Sequence, residues 1–259
     1  DIERHIRYEH TIETAEWSSE RKLWTLKVTH SRSEDRLTFT CGFLWMCHGY
    51  YRHSDPYTPE WPGMERFEGD IVHPQIWPDD LDYANKRIVV VGSGATAATL
   101  IPAMAGEAGH VTMLQRSPTF FVARPNNNEL ADTLRELDIP DEWTHEIVRR
   151  KILHDQQQVV EMSFKYPDLV REELYKGVRE ILGEDYDVST HFEPAYRPWQ
   201  QRIALIPDGD LFHSIASGDA SVVTDEISTF TEAGIETKSG QLLEADIIVT
   251  ATGFDLSVL

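Results

Sequence analysis

The sequence is poor in cysteine and in basic residues, and it has no long apolar run. Its 259 residues include only two cysteines, and 24 Lys and Arg stand against 44 Asp and Glu, for a formal net charge of -20. This negative charge repels phosphate backbones and anionic lipids at long range, so general nucleic-acid binding is not expected. No apolar segment approaches the ~18 residues of a membrane span, and the first residues show no signal-peptide pattern. We therefore expect a globular, cytoplasmic protein with no membrane span and no metal site.

The two cysteines are not expected to form a disulfide. They lie in the run from Cys41 to His48, which is nearly all apolar and closes at Gly49. Such a run predicts a strand buried on both faces of a parallel sheet. Cysteines six residues apart on one strand lie roughly 20 Å from each other, which is too far for a disulfide. Free thiols suit a reducing cytosol.

Hydrophobic patterning divides the chain into segments. Residues 1–49 alternate apolar and polar side chains between polar turns, which predicts a small antiparallel β-meander followed by the buried strand. Residues 50–84 are rich in Pro, Tyr and Trp and have little periodicity, so we interpret them as an inter-domain linker. Residues 85–250 follow an α/β pattern, with a helical insertion at about 128–183 that ends in a helix from Pro167 to Gly183. The insertion could serve packing or form a lid.

A glycine-rich turn opens the α/β segment. The buried strand "KRIVVV" leads into "GSGATA" and an Ala-rich helix, and "HVTMLQRS" is the next predicted strand. In this order, glycines bring backbone N–H groups and a helix N-terminus up to a pyrophosphate. The pattern predicts a dinucleotide site, although a tight strand–helix turn without a ligand is the structural alternative. The candidate cofactor-binding residues of this turn are Gly92, Ser93, Gly94, Ala95, Thr96 and Ala97.

The end of the second strand indicates which dinucleotide binds. NAD-binding folds place an acidic residue there for the ribose 2′-hydroxyl, whereas this strand ends in Gln115 and Arg116. A guanidinium suits a 2′-phosphate, so NADPH is favoured over NADH. The alternative is that Arg116 is a solvated surface residue.

The predicted linker holds an aromatic, a glycine, a histidine and a tryptophan at fixed offsets. Its stretch "RFEGDIVHPQIWPDD" contains the pattern Phe67-x-Gly69-x-x-x-His73-x-x-x-Trp77-Pro78, shortly before the glycine-rich turn. Together the two motifs resemble the fingerprint of flavin-dependent class B monooxygenases of the Baeyer–Villiger type. Further matches in "YDVSTHFEPAYRPWQQR", "PDGDLFHSI" and "ADIIVTATGF" resemble the ethionamide-activating branch of that group.

The resemblance implies a FAD- and NADPH-dependent enzyme. Such an enzyme uses O2 to insert one oxygen atom into a ketone, or to oxidise sulfur or nitrogen in substrates such as sulfides and thioamides, through a C4a-peroxyflavin. The implied fold has two dinucleotide-binding domains: a Rossmann-like NADPH domain with a helical insertion, and a FAD domain of which the meander and linker form part. Residues 1–49 would then be a partial FAD domain, and 251–259 a second hinge that returns to it.

The resemblance also assigns roles to residues. Arg202 matches the arginine that stabilises the anionic oxygenated flavin, and Arg116 matches the 2′-phosphate ligand. Gln201 stands where many members have a lysine that shares this phosphate. We therefore expect a weaker preference for NADPH over NADH. Gly69 would permit a backbone turn, while Phe67, His73 and Trp77 anchor the linker, with His73 an organiser more than an acid or base. Ala251, Thr252 and Gly253 match the segment at which the chain of such enzymes passes between the two domains for the second time, which we call the second crossing.

Only one glycine-rich turn of the required spacing is present, although the family has one for each dinucleotide. The FAD pyrophosphate motif is therefore not encoded here, and we interpret the chain as an internal fragment that is inactive by itself. Two other functions stay open. One is an NADPH-binding module without catalysis, and the other is a flavin disulfide reductase, for which Cys41 and Cys47 are poorly spaced.

Overall fold

The computed structural model of the chain describes residues 2–256. Within this range the chain forms two compact units, residues 2–51 and Arg52–Leu256. No helix in the described range is both long enough and apolar enough to cross a membrane.

The first unit contains the predicted antiparallel meander. After a 3-10 turn at Glu3–His5, strands β1 (His10–Ser18), β2 (Leu23–His30) and β3 (Arg36–Cys41) pair in the order β1-β2-β3. The rings of Trp17 and Trp24 lie opposite each other across β1 and β2 with centroids 5.6 Å apart. Cross-strand aromatic pairs of this kind are a main source of stability in a small sheet.

The strand predicted for Cys41 to His48 is wrong. Cys41 is the last residue of β3, where it lies opposite Trp24, and no strand spans residues 43–50. Phe43 and Trp45 are 77% and 79% exposed, so the run is not buried on either face. Apolar composition favours a buried strand only where neighbouring strands supply backbone hydrogen bonds, and none of the strands described here pairs with this run. Both cysteines are free thiols.

The second unit is built on a parallel sheet with helices inserted between its strands. Its strands are β4 (Tyr51–Pro56), β5 (Asp70–Val72), β6 (Arg87–Val91), β7 (His110–Gln115), β8 (Phe121–Arg124), β9 (Ala204–Pro207), β10 (Ala220–Thr224), β11 (Ile227–Thr231), β12 (Gly234–Thr237), β13 (Leu242–Glu244), β14 (Ile247–Thr250) and β15 (Phe254–Leu256). Its helices are α1 (Ala95–Met104), α2 (Glu129–Glu136), α3 (Asp141–Lys165), α4 (Pro167–Leu182), α5 (Val188–Phe192) and α6 (Asp210–Ala216), with 3-10 turns at Met64–Arg66 and Pro74–Ile76.

Five parallel strands follow the order β10-β7-β6-β14-β5. With β6 counted as the first strand, β10-β7-β6-β14 follow the 3-2-1-4 order of a Rossmann-type sheet, which confirms the predicted fold class, and β5, which precedes β6 in the chain, adds to the edge beside β14. The edge strand β5 comes from the fingerprint stretch itself, so Asp70–Val72 lies in this sheet beside β14. The sequence pattern did not predict that position for the linker.

Helices pack on one face of the sheet, and the antiparallel sheet β11-β12-β13 packs on the other. Along β6, Ile88 and Val90 pack into a cluster with the helices, whereas Val89 and Val91 pack into a second cluster with the antiparallel sheet β11-β12-β13. Alternate strand residues point to opposite faces, so both covers are needed to bury this apolar run. All four side chains are at most 7% exposed.

The predicted helical insertion is present between β8 and β9. The helix predicted from Pro167 is α4, which has Pro167 at its first turn and Gly183 at its end with φ of 91°. Glycine adopts this left-handed backbone without strain, which explains the sharp stop. The inward side chains of α4, Tyr175 and Val178, join the helical-side core with Phe120 and Phe192.

Candidate functional site

The glycine-rich turn joins β6 to α1, and its small residues have different tasks. Gly92 has a φ of 131°, and a Cβ built on it would lie 2.5 Å from the carbonyl oxygen of Ala251. A Cβ built on Gly94 would meet no atom within 4 Å, so the backbone there is open to a ligand. Ala97, in the first turn of α1, is fully buried, so a larger side chain there would push the helix from the sheet. The turn thus combines a close approach of two backbones at Gly92, an open backbone at Gly94 and tight helix packing at Ala97.

The N-terminus of α1 offers unpaired backbone donors. Gly94 is its N-cap and makes no side-chain capping bond, and the first intrahelical bond runs from Ala98 N to Gly94 O. The N–H groups of Ala95, Thr96 and Ala97 precede that bond and have no intrahelical acceptor. Together with the helix dipole, these donors favour an anion such as a pyrophosphate.

Arg116 follows directly after β7, whose end is held rigidly. Gln115 is buried and donates from Nε2 to His191 O at 2.7 Å and to Thr224 Oγ1 at 2.9 Å. The side chain of Arg116 makes no hydrogen bond or ion pair with any residue between positions 2 and 256. The strand end therefore presents an unpaired guanidinium from a fixed backbone.

One cavity of about 590 Å³ joins these features. Of the residues singled out in the sequence, Gly92, Ser93, Arg116 and Thr252 line it. Its remaining lining residues are Tyr57, Pro59, Trp61, Val91, Leu114, Ser117, Asp225, Glu226 and Ile227. Ligands of open α/β sheets bind at the carboxyl ends of the strands, and β6, β7, β10 and β14 all end at this cavity.

Sequence reasoning missed two groups of lining residues. Tyr57, Pro59 and Trp61 come from the linker, ahead of the fingerprint, and no local pattern marks them. Asp225 and Glu226 directly follow β10, and that position after a buried parallel strand is a signal that could have identified them.

Gln201 and Arg202 lie outside the wall of this cavity. Gln201 forms an isolated parallel bridge with Pro198, and Arg202 is exposed with no hydrogen bond or ion pair to the described residues. Two residues later, Ala204 N donates to Phe120 O at 2.8 Å, beside Thr119.

The hydroxyl of Thr119 in turn lies 3.2 Å from the hydroxyl of Ser93 in the glycine-rich turn. Since β8 and β9 run parallel from these contacts, Arg202 belongs to the same edge of the fold as the turn.

His73 connects the fingerprint to the second crossing of the chain. Gln75 N donates to His73 Nδ1 at 3.1 Å, and His73 Nε2 lies 3.2 Å from Gly253 O. Because Nδ1 accepts, the ring proton must be on Nε2, which donates to the Gly253 carbonyl. The structure thus ties two sequence motifs together through one neutral imidazole.

Burial supports the neutral form of this ring. Desolvation lowers the pKa of His73 below its ordinary value, against smaller opposing effects of hydrogen bonds with the Gly253 and Tyr57 backbones. A neutral ring is also what the Gln75 N–H bond requires, since protonation of Nδ1 would remove the acceptor.

Thr252, in the same crossing, donates from Oγ1 to Tyr57 O at 2.6 Å. The crossing is therefore tied to the linker at two points, Tyr57 and His73.

The other fingerprint residues pack against the sheet. Phe67 contacts the core cluster under β11-β12-β13, and Trp77 contacts the cluster on the helical side. For Gly69 the structure gives a reason other than the expected turn. Its φ is not positive, and a Cβ there would lie 2.2 Å from Asp246 O, so Gly69 is needed because two backbones touch.

A second cavity of about 630 Å³ lies along α2 and α3, lined by residues such as Ala131, Val148 and Leu153. It contains none of the site residues predicted from sequence. Neither cysteine lines the cavity at Arg116, which leaves the disulfide reductase hypothesis without a redox pair there.

Comparisons with known proteins agree with this architecture. The family model for flavin-binding monooxygenase-like (FMO-like) proteins matches residues 2–134. MymA of Mycobacterium tuberculosis is 47% identical over the whole chain, and the FAD-containing monooxygenase EthA of the same species is 46% identical over 99% of it. A structure of oxidized steroid monooxygenase bound to NADP superposes with a TM-score of 0.71 over 98% of this chain and 53% of its own, at 22% identity.

These relatives are longer proteins. The chain spans about half the length of the curated relatives it matches, with 52% of MymA and of EthA covered. The family match covers just over half of this chain and includes the meander, the linker fingerprint and the glycine-rich turn. The chain therefore belongs to the FMO-like family of flavin-binding monooxygenases.

Proposed function

We propose that this chain is the NADPH-binding part of a flavin-dependent monooxygenase. The observation that carries the proposal is the meeting of Gly92, Ser93, Arg116 and Thr252 on one cavity at the carboxyl ends of the parallel strands. The names of the relatives support the flavin and monooxygenase components, and a structural neighbour at 22% identity is described as bound to NADP.

The residues present fit a nicotinamide dinucleotide. The open backbone at Gly94 and the free N–H groups of α1 would receive the pyrophosphate. Arg116 would hold the 2′-phosphate with a charge-assisted hydrogen bond, because its guanidinium has no competing partner among the described residues. Gln201, in place of the family's lysine, can add hydrogen bonds but no charge.

The residues present do not make a FAD pyrophosphate site. The sequence contains no second glycine-rich turn of the required spacing, and only the crossing at Ala251, Thr252 and Gly253 corresponds to a flavin-facing segment. We therefore assign FAD binding and the complete reaction to longer proteins of this family. Their reactants would be O2 and a ketone, sulfide or thioamide.

Arg202 is our candidate for the catalytic cation. A guanidinium stays protonated at any working pH, and this one has no carboxylate partner in residues 2–256. A permanent positive charge near the glycine-rich turn would stabilise negative charge that develops during oxygen transfer. His73 has a positioning role, since both of its ring nitrogens already hold backbone groups.

Binding of NADP+ tests the dinucleotide part of the proposal. We expect isothermal titration calorimetry to detect NADP+ binding to the chain, and Arg116→Gln to raise its Kd about ten- to a hundredfold, as for loss of a charge-assisted contact. NAD+ lacks the 2′-phosphate, so its Kd should change little. Arg149→Gln, at an exposed arginine on α3, is the matched control.

Failure of the parent chain to bind NADP+ would overturn the proposal. So would an Arg116→Gln variant that weakens NADP+ and NAD+ equally, because the guanidinium would then not be reading the 2′-phosphate.

A further inference from the structure

Two carboxylates line the same cavity as the arginine that we assign to the 2′-phosphate. Strands β10 and β7 pair in parallel with Thr224 beside Gln115, and Asp225 N donates to Gln115 O at 2.9 Å. The residues that follow, Asp225 and Glu226, line the same cavity as Arg116. An arginine next to two acidic residues would ordinarily pair with one of them and lose its attraction for a phosphate.

Asp225 does not pair with Arg116, because backbone and hydroxyl donors occupy its oxygens. Ser239 N donates to Oδ2 at 3.0 Å, and Glu226 N donates to Oδ1 at 2.7 Å. Hydrogen bonds with the hydroxyls of Ser239 and Thr237 help to hold the pKa of Asp225 well below its usual range. The carboxylate is therefore ionised but directed at the turn between β12 and β13.

Glu226 is held by the same turn. Lys238 Nζ lies 2.6 Å from Glu226 Oε2, and Lys238 N donates to Glu226 O at 2.8 Å. The backbone bond places Lys238 beside Glu226, so the Lys238 ammonium is within ion-pair distance of that carboxylate. Both side chains are more than half exposed, which makes the ion pair weak as a source of stability. Glu226, but not Lys238, lines the cavity, so the pair can affect what binds there through the charge of Glu226.

We propose that Lys238 is a specificity-determining residue for NADPH, which it favours by holding Glu226 away from Arg116. The inference rests on the proposed function. With Lys238 in place, Arg116 faces the 2′-phosphate unpaired. Without it, the Glu226 carboxylate is free to pair with Arg116 and to repel the phosphate. Lys238 is thus a positioning residue that acts through Glu226, contributed by a hairpin more than a hundred residues after Arg116 in the sequence.

A double-mutant cycle on the full chain tests this. We expect Lys238→Met to raise the Kd for NADP+ about three- to tenfold in low-salt buffer, as for one exposed charge, and to leave the Kd for NAD+ unchanged. Adding Glu226→Gln to Lys238→Met should return the Kd for NADP+ to the parent value. The effect of Lys238→Met should shrink at high ionic strength, because salt screens exposed charges.

Lys151→Met is the matched control, since Lys151 forms a similar exposed pair with Asp155 on α3. It should leave both Kd values unchanged.

The rescue step separates the proposal from a structural role. If the double variant binds NADP+ as weakly as Lys238→Met, or if NAD+ binding weakens in parallel, the proposal is overturned. An unchanged Kd for NADP+ in Lys238→Met overturns it as well. Each of these results leaves the proposed function standing, provided that the parent binds NADP+ and Arg116→Gln impairs that binding selectively.

Discussion

Replacing His73 with alanine tests whether the fingerprint histidine holds the linker to the second crossing. The variant loses two hydrogen bonds, from Gln75 N to Nδ1 and from Nε2 to Gly253 O. A net hydrogen bond contributes about 0.5–1.5 kcal/mol, and this ring is only partly buried, so we expect the free energy of unfolding to fall by about 1–2 kcal/mol at pH 8. His73→Asn should lose less, because asparagine can still cap the 3-10 turn by accepting from Gln75 N.

The stabilisation that His73 provides should also depend on pH. The folded pKa of His73 is lowered below the ordinary value of 6.5, mainly because the ring is desolvated. The neutral ring is therefore preferred in the folded state, and its stabilisation is complete above pH 6.5 and is lost as the pH falls through the lower folded pKa. The gap in stability between the parent and His73→Ala should accordingly be widest near pH 8 and should narrow toward pH 5.

Urea unfolding followed by tryptophan fluorescence measures both effects. His154→Gln, at an exposed histidine on α3, is the control and should track the parent at every pH. The reasoning is refuted if His73→Ala matches the parent at pH 8, or if the gap between them stays constant from pH 8 to pH 5.

Two further predictions concern the contacts that hold β14 in place. Gly69→Ala should lower the free energy of unfolding by roughly 1–3 kcal/mol, because the new Cβ would lie 2.2 Å from Asp246 O. Gly177→Ala, on an open position of α4, should instead raise it by about 0.5–1 kcal/mol, and urea unfolding of both variants checks the contrast. Hydrogen bonds from Arg87 lower the pKa of Asp246 to about 2, so their stabilisation persists above pH 3.8 and is lost as the pH falls toward 2. Arg87→Met should flatten this acid-induced loss between pH 4 and pH 2, and an unchanged acid-unfolding curve would contradict the assignment.

Local patterns in the sequence predicted the elements that depend on local physics. The meander, the buried strand β6, the glycine-rich turn and the helix from Pro167 to Gly183 all follow from side-chain period, backbone freedom and capping, which act within a few residues. The candidate site residues at strand ends, such as Gly92 and Arg116, rest on the same kind of local motif, and the structure places both on one cavity.

The same local reasoning failed for the run after Cys41. Its apolar composition is typical of a buried strand, yet only neighbouring strands can satisfy the backbone of such a segment, and none described here pairs with it. Composition reports what a segment can bury, whereas pairing depends on which other segments reach it.

What the sequence determined by itself is therefore the meander, the strand–turn–helix unit at the glycine-rich turn, the helix from Pro167, and the cationic residue at the end of β7. Only the tertiary structure decided that β5 of the fingerprint joins the sheet, that His73 bonds Gly253, and that Lys238 pairs with a carboxylate that lines the same cavity as Arg116. The first two contacts join segments that are far apart along the chain, whereas the third is local to a hairpin and becomes relevant only because β10 and β7 end at the same cavity. No local period or spacing encodes such a meeting.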